Sequence, residues 1–419
     1  MSPKFSYEKS TGLFLALLSL SSVVLTLSFS KAAYGYRETG FTLFWLGFAL
    51  IVVPVVVWLC RKTVSENSRV VALLSLGIWA AIPKLLRSSG APAFSDEFAH
   101  LSAIEKLSET GELALYNPIV AMAPSYPGFH LLSLSVHNVS GLSLFWVSTV
   151  LVLIAHASVP LAIYQLAKQA GLSPRGGSIA ALIYISNPSW LFFQAQIAYE
   201  SLSIPLLLWL LVAMSHASKR KNWGVVSAIV LFPAVGLTHH LTTIMAIFIS
   251  VIWVILLVID RKKGKNSDQS ATILAGISVW GLLFFSAWSF QTFSSLVRYY
   301  APSVTGPINE LQTFLEDSTS QVQRAPFSGS QLPIYERVAG LALPLIIFMV
   351  ILIAIWKIKK SSEPKTILVR LSIPLSLLYL ISMPALITHT GAEGSHRSWT
   401  ISYIGLAILF GWMTDQKFE

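Results

Sequence analysis

Residues 41–60 read FTLFWLGFALIVVPVVVWLC, twenty positions without one charged side chain. About 20 mostly apolar residues suffice for a helix to cross the hydrocarbon layer, so this stretch is long enough by itself. Similar stretches recur on both sides of it. The hydropathy pattern predicts spans at 12–30, 41–60, 69–85, 141–166, 177–193, 199–217, 223–238, 241–260, 272–290, 338–356, 368–388 and 398–414. The composition agrees: 54% of the residues are hydrophobic and 11% are charged, where a soluble domain carries about 25% charge. The 419 residues could make two or three soluble domains by length. No polar segment is long enough to fold alone, so the chain reads as one all-helical, polytopic transmembrane bundle over residues 1–419, with no separate soluble domain. The first span has a short basic flank, Lys4 and Lys9, and small residues near its end, as a leader peptide would. It is read as retained, because it fits the charge alternation below.

With the N-terminus placed in the cytoplasm, 20 of the 29 Lys and Arg residues fall on the inner side. Every inner connection is then basic, as the positive-inside rule requires. Both termini are predicted to be cytoplasmic. A wrong number of spans would scramble the alternation. The net charge of +10 therefore reads as topology, not as nucleic-acid binding. The single Cys60 fits neither an internal disulfide nor a metal-ligand spacing. Two long loops, 86–140 and 291–337, lie on the outer side. So do His239 and His240, Glu200 and the 389–397 segment, which places the function on the outer face. No retention signal is seen, and an integral, multi-pass protein of a prokaryotic plasma membrane is expected.

The first outer loop carries Asp96-Glu97-Phe98-Ala99-His100. Ser95 is a candidate helix cap, and Gly111 a stop. Phe98, Leu101, Ile104 and Leu107 recur every three residues, as on an amphipathic helix lying along a membrane surface. On that helix His100 is four residues from Asp96 and three from Glu97, close enough to approach either. First-turn acids also suit the helix macrodipole without any chemistry. Two acids, a histidine on the same face and a position at the mouth of a bundle favour a site. Tyr126-Pro127-Gly128-Phe129-His130 closes the same loop with a Pro-Gly turn, and its aromatic residues also suit a membrane interface.

This paired acid on a surface helix after an early span, followed by Tyr126-Pro127-Gly128-Phe129-His130, resembles the GT-C superfamily of membrane glycosyltransferases. These enzymes use polyprenyl-phosphate-linked sugars and include protein mannosyltransferases and aminoarabinose transferases. The likeness covers roughly residues 91–130. It implies that Asp96 or Glu97 is the general base that takes the acceptor hydroxyl's proton. A placed carboxylate contributes roughly 10²- to 10⁴-fold. The polyprenyl-phosphate leaving group calls for positive charge around it. Arg397, with a guanidinium fork suited to phosphate, is the first candidate, and Arg298, beside Tyr299 and Tyr300, the second. His100, Tyr126, His130, Glu200, His239 and His240 complete the candidate substrate-binding set. A divalent cation, Mg²⁺ or Mn²⁺, held by Asp96, Glu97 and Glu200, is an open possibility.

The expected partners are a polyprenyl-phosphate sugar donor, membrane lipids and a glycan, lipid or protein acceptor of the cell envelope; no nucleic acid is expected. Three other readings compete. A secondary transporter or lipid-carrier flippase draws on the span number and on Pro160, Pro205, Pro233 and Pro384. Against it, the charges collect at the outer edge and not at the bilayer midplane. A polysaccharide polymerase or ligase also has a large outer loop, but arginines would be expected to dominate it. An accessory subunit would use the acids as helix-end charges only.

Overall fold

The computed structural model describes residues 3–113, 117, 119–263, 268–316, 334–360, 366–387 and 389–416. Among these there are sixteen α-helices and no strand. They are α1 (Pro3–Ala33), α2 (Arg37–Leu59), α3 (Glu66–Arg87), α4 (Ser95–Thr110), α5 (Gly128–Ser140), α6 (Leu144–Gln169), α7 (Pro174–Ile185) and α8 (Pro188–Phe192) in the first half. The second half holds α9 (Tyr199–Ser218), α10 (Asn222–Thr238), α11 (His240–Lys262), α12 (Asp268–Ser289), α13 (Phe293–Glu316), α14 (Ile334–Lys360), α15 (Ile367–Ser382) and α16 (His389–Asp415). Nine helices among the described residues are long and apolar enough to cross a membrane.

The outward faces of these helices are greasy. Val53, Ile154, Leu283 and Leu345 are all exposed, as suits side chains that meet lipid and not water. Lipid tails are as apolar as leucine, so helices associate through close packing at small residues. Gly77 of α3 is one such point: a Cβ there would lie 2.8 Å from the Ala157 carbonyl of α6. Gly411 of α16 is another, meeting the Gly176 carbonyl of α7. Ser21 and Ser28 of α1 donate to the Gly47 and Gly40 carbonyls of α2, at 2.6 and 2.7 Å.

Three segments depart from the sequence reading. The stretch 177–193 is not one helix. α7 has 12 residues, roughly 18 Å at 1.5 Å per residue, and breaks before Pro188, which disfavours helix in the residue ahead of it. Residues 128–140 form α5 and not loop. The second long outer loop begins as α13; its tip, 317–333, lies outside the described residues.

The bundle has two polar ends. At one, buried Arg69 donates to the Leu59 and Arg61 carbonyls and, at 3.0 Å, to Ser178 Oγ. There too Arg175 Nε reaches the Cys60 carbonyl at 2.7 Å. Asp415 accepts from Ser173 N and Oγ, both at 2.6 Å, and Arg370 grips the Asp260 carboxylate with both nitrogens. At the other end α4 packs on α5 and α6.

Candidate functional site

α4 is built on Glu97. Its carboxylate is fully buried and pairs with the Lys84 ammonium at the end of α3. Oε2 also accepts from Ala93 N at 2.9 Å, and Oε1 from Ile197 N at 3.0 Å, ahead of α9. The Ala93 bond ties the incoming chain, one residue before the N-cap Phe94, to the first turn of α4. Ser95 does not cap. The helix begins on it, and its hydroxyl turns to Asp96 Oδ1 at 3.4 Å. Gly111 ends α4 in the left-handed conformation, φ 69°, as expected from its lack of a Cβ.

The apolar stripe of α4 is consumed by protein and not by lipid. Leu101, Ile104 and Leu107 are buried. Leu101 and Ile104 join a small core with Met122, Tyr126, Phe129 and Tyr199. Phe98 stays outside, exposed. Asn117 fastens the following loop by donating to the Ala99 carbonyl at 3.1 Å.

His100 turns away from both acids. Its Nδ1 lies 2.9 Å from His130 Nε2 on α5, and both rings are buried. Glu97 cannot serve as its partner, because Lys84 and two backbone N–H groups already occupy that carboxylate. Burial first, and then the neighbouring His130, holds His100 well below the ordinary imidazole pKa. Burial alone pushes His130 down to about 4. Both rings are neutral near pH 7, one donating and the other accepting.

From there the site continues as a chain of rings. His100 packs on Tyr199, with centroids 4.7 Å apart, and Tyr199 packs on His239 at 4.5 Å. His239 sits between α10 and α11 in an extended conformation and serves as the N-cap of α11. His240 follows it, stacks near Tyr126 at 5.0 Å and bonds through Nδ1 to the Tyr300 hydroxyl. The Tyr126 hydroxyl pairs with Ser289 Oγ at 3.0 Å.

Beside these rings is a cavity of about 230 Å³. Glu200, His239, His240, Tyr299, Tyr300 and Arg397 line it. Arg397 and Glu200 face each other at 3.8 Å. The structure thus brings together Glu97, His100, Tyr126, His130, Glu200, His239, His240 and Arg397 at one end of the bundle. Asp96 stands half-buried on α4 next to Glu97. Arg298 is not drawn in: it is exposed, and its guanidinium reaches Ser295 Oγ at 3.5 Å on its own helix.

The trio Asp96, Glu97 and Glu200 does not assemble as a cation site. Glu97 is saturated by Lys84 and backbone donors, and among the described residues no three His, Cys, Asp or Glu side chains converge as ligands. Two partners were not legible as site residues. Lys84 neutralises Glu97. Tyr199 bridges the two histidine pairs. No protein family and no characterised protein matches the chain.

Proposed function

We propose that this protein is a glycosyltransferase of the GT-C type, crossing the membrane twelve times with both termini in the cytoplasm. It moves one sugar from a polyprenyl-phosphate donor to an acceptor on the outer face. The observation that carries the reading is the anchoring of α4: Glu97 ties it to α3 and to the turn before α9, the helix whose first turn brings Glu200 to the cavity wall. That arrangement divides the paired acids. Glu97 positions the helix, and Asp96, whose carboxylate is not locked by backbone donors, is the base. Asp96 takes the proton of the acceptor hydroxyl as its oxygen attacks the anomeric carbon. The bond from that carbon to the phosphate oxygen breaks, with inversion, and polyprenyl phosphate leaves. Arg397 supplies the positive charge that the leaving phosphate needs. His100 on the inner face of α4 bonds His130 of α5, and this pair of neutral imidazoles helps hold α4 in place.

The test is transfer in nanodiscs from a panel of radiolabelled polyprenyl-phosphate sugars. Asp96→Asn should lose about 10²- to 10⁴-fold in turnover, with the fold intact. Wild-type turnover in Asp96→Asn would remove this carboxylate from the chemistry. A carrier reading draws on one other feature. His156 is fully buried in α6 and stacked on Trp190 of α8 at 4.1 Å. Polar groups at membrane depth often mark transport routes. Movement of a lipid-linked sugar across proteoliposomes, lost in His156→Phe and without any transfer, would favour it.

A further inference from the structure

His239 is the one candidate whose protonation the backbone dictates. Its Nδ1 accepts the Thr242 backbone N–H at 3.3 Å, as the N-cap of α11. A backbone N–H can only donate, so this nitrogen carries a lone pair. The Thr242 hydroxyl lies 2.8 Å from the same nitrogen. The ring proton is therefore on Nε2. His239 is one of the residues lining the cavity, and this nitrogen is buried with no hydrogen-bond partner. A buried donor left unpaired is costly, so it is suited to meet an acceptor atom on a ligand.

The rest of the wall says which kind. Glu200 and Arg397 oppose each other across 3.8 Å, so the cavity is close to charge-balanced and offers both an acceptor and a donor. Tyr299, Tyr300 and His240 add flat aromatic surface, which suits a ring with an apolar C–H face and polar edges. The volume of about 230 Å³ falls below the roughly 300–1,000 Å³ of sites for drug-sized ligands, and so suits one ring only. We infer that this cavity is the subsite for a single uncharged pyranose, and that the Nε2–H of His239 donates to one of its oxygens and determines which sugar is accepted. The inference rests on the transferase reading in taking a lipid-linked sugar as the natural ligand.

The variant His239→Asn separates the two jobs of this residue. Asparagine is among the best N-caps, so its Oδ1 keeps the Thr242 bond, while its shorter amide N–H₂ stops short of the position that Nε2–H holds. Affinities would be measured in nanodiscs for farnesyl phosphate and for farnesyl-phosphate hexoses differing at one hydroxyl. In the wild type at least one hexose should bind more tightly than farnesyl phosphate alone. In His239→Asn that gain should fall about tenfold, the worth of one hydrogen bond, with the melting midpoint and farnesyl phosphate affinity unchanged. An equal loss for farnesyl phosphate would make the cavity a phosphate site and overturn the proposal. So would the absence of any sugar-dependent gain in the wild type. A sugar-dependent gain without turnover from any donor would leave the subsite standing and remove the transferase.

Discussion

The two polar ends of this bundle bury similar groups and treat them differently. At the basic end Arg69, Arg175 and Asp415 each terminate on a backbone group or a capping serine, and Asp260 on Arg370. These contacts join α2, α3, α7, α11, α15 and α16 to one another. At the α4 end Glu97 does the same for α3 and α9. Yet beside it His239 Nε2 and Ser395 Oγ stay buried without a partner, and a cavity opens. A polar group that is satisfied inside the protein holds helices together. One that is buried and unsatisfied is retained at a cost; Tyr164 Oη and Arg370 Nε bear that cost at the basic end too, and at the α4 end it falls beside open space.

The comparison breaks most readily at Arg69. Replacing it with methionine strands the Leu59 and Arg61 carbonyls, and should lower stability by about 2–4 kcal/mol, read as a fall in the detergent melting midpoint. The turnover of the molecules that remain folded should not change. Next comes Glu97. Glu97→Gln places an amide N–H₂ against Lys84 and the Ala93 or Ile197 N–H, and should cost about 2–3 kcal/mol. Proteolysis should then begin in the 90–127 region. A double-mutant cycle with Lys84→Met should recover about 1–3 kcal/mol; simple additivity would mean that the pair does not clamp α4.

A smaller effect concerns His130. Its folded pKa, about 4, lies below the ordinary 6.5. The unfolded chain therefore takes up a proton that the native ring refuses. Stability from this ring is complete above about pH 6.5 and is lost as pH falls toward 4. His130→Gln should lessen the fall of the melting midpoint across that window by the share of one proton, His100 and the other buried histidines keeping theirs. An unchanged slope would mean that the ring is solvated. The smallest effect is at exposed Arg298: Arg298→Ala should stay within about 0.5 kcal/mol and leave transfer intact.

Much of the bundle was legible because membrane helices announce themselves by hydropathy. α2, α11 and α14 needed nothing more. α5 and α13 were missed, since they are helical without being apolar throughout: α13 carries Pro302 and Pro307, and α5 is rich in serine and histidine. The break between α7 and α8 had a local signal, Asn187-Pro188, which the apolar run outweighed. At the site, residue identity was legible and partnership was not. Glu97 looked like a catalytic acid because its partners, Lys84 and the backbone of Ile197, are 13 and 100 residues away in the chain. The expected His100 contact to an acid followed helical spacing alone, and helical spacing knows nothing of His130 on another helix. His239 was read as one of two interchangeable histidines. Its role as a cap depends on an extended backbone that only the folded turn reveals.

The most direct test sets one residue from each end side by side. Transfer rate and melting midpoint would be measured on the same nanodisc preparations of wild type, Asp96→Asn and Arg69→Met. The predicted result is a crossed pattern: Asp96→Asn loses turnover and keeps its melting midpoint, while Arg69→Met loses midpoint and keeps its turnover per folded molecule. Loss of turnover and midpoint together in both variants, or full turnover in Asp96→Asn, would contradict the division of the bundle into a structural end and a working end.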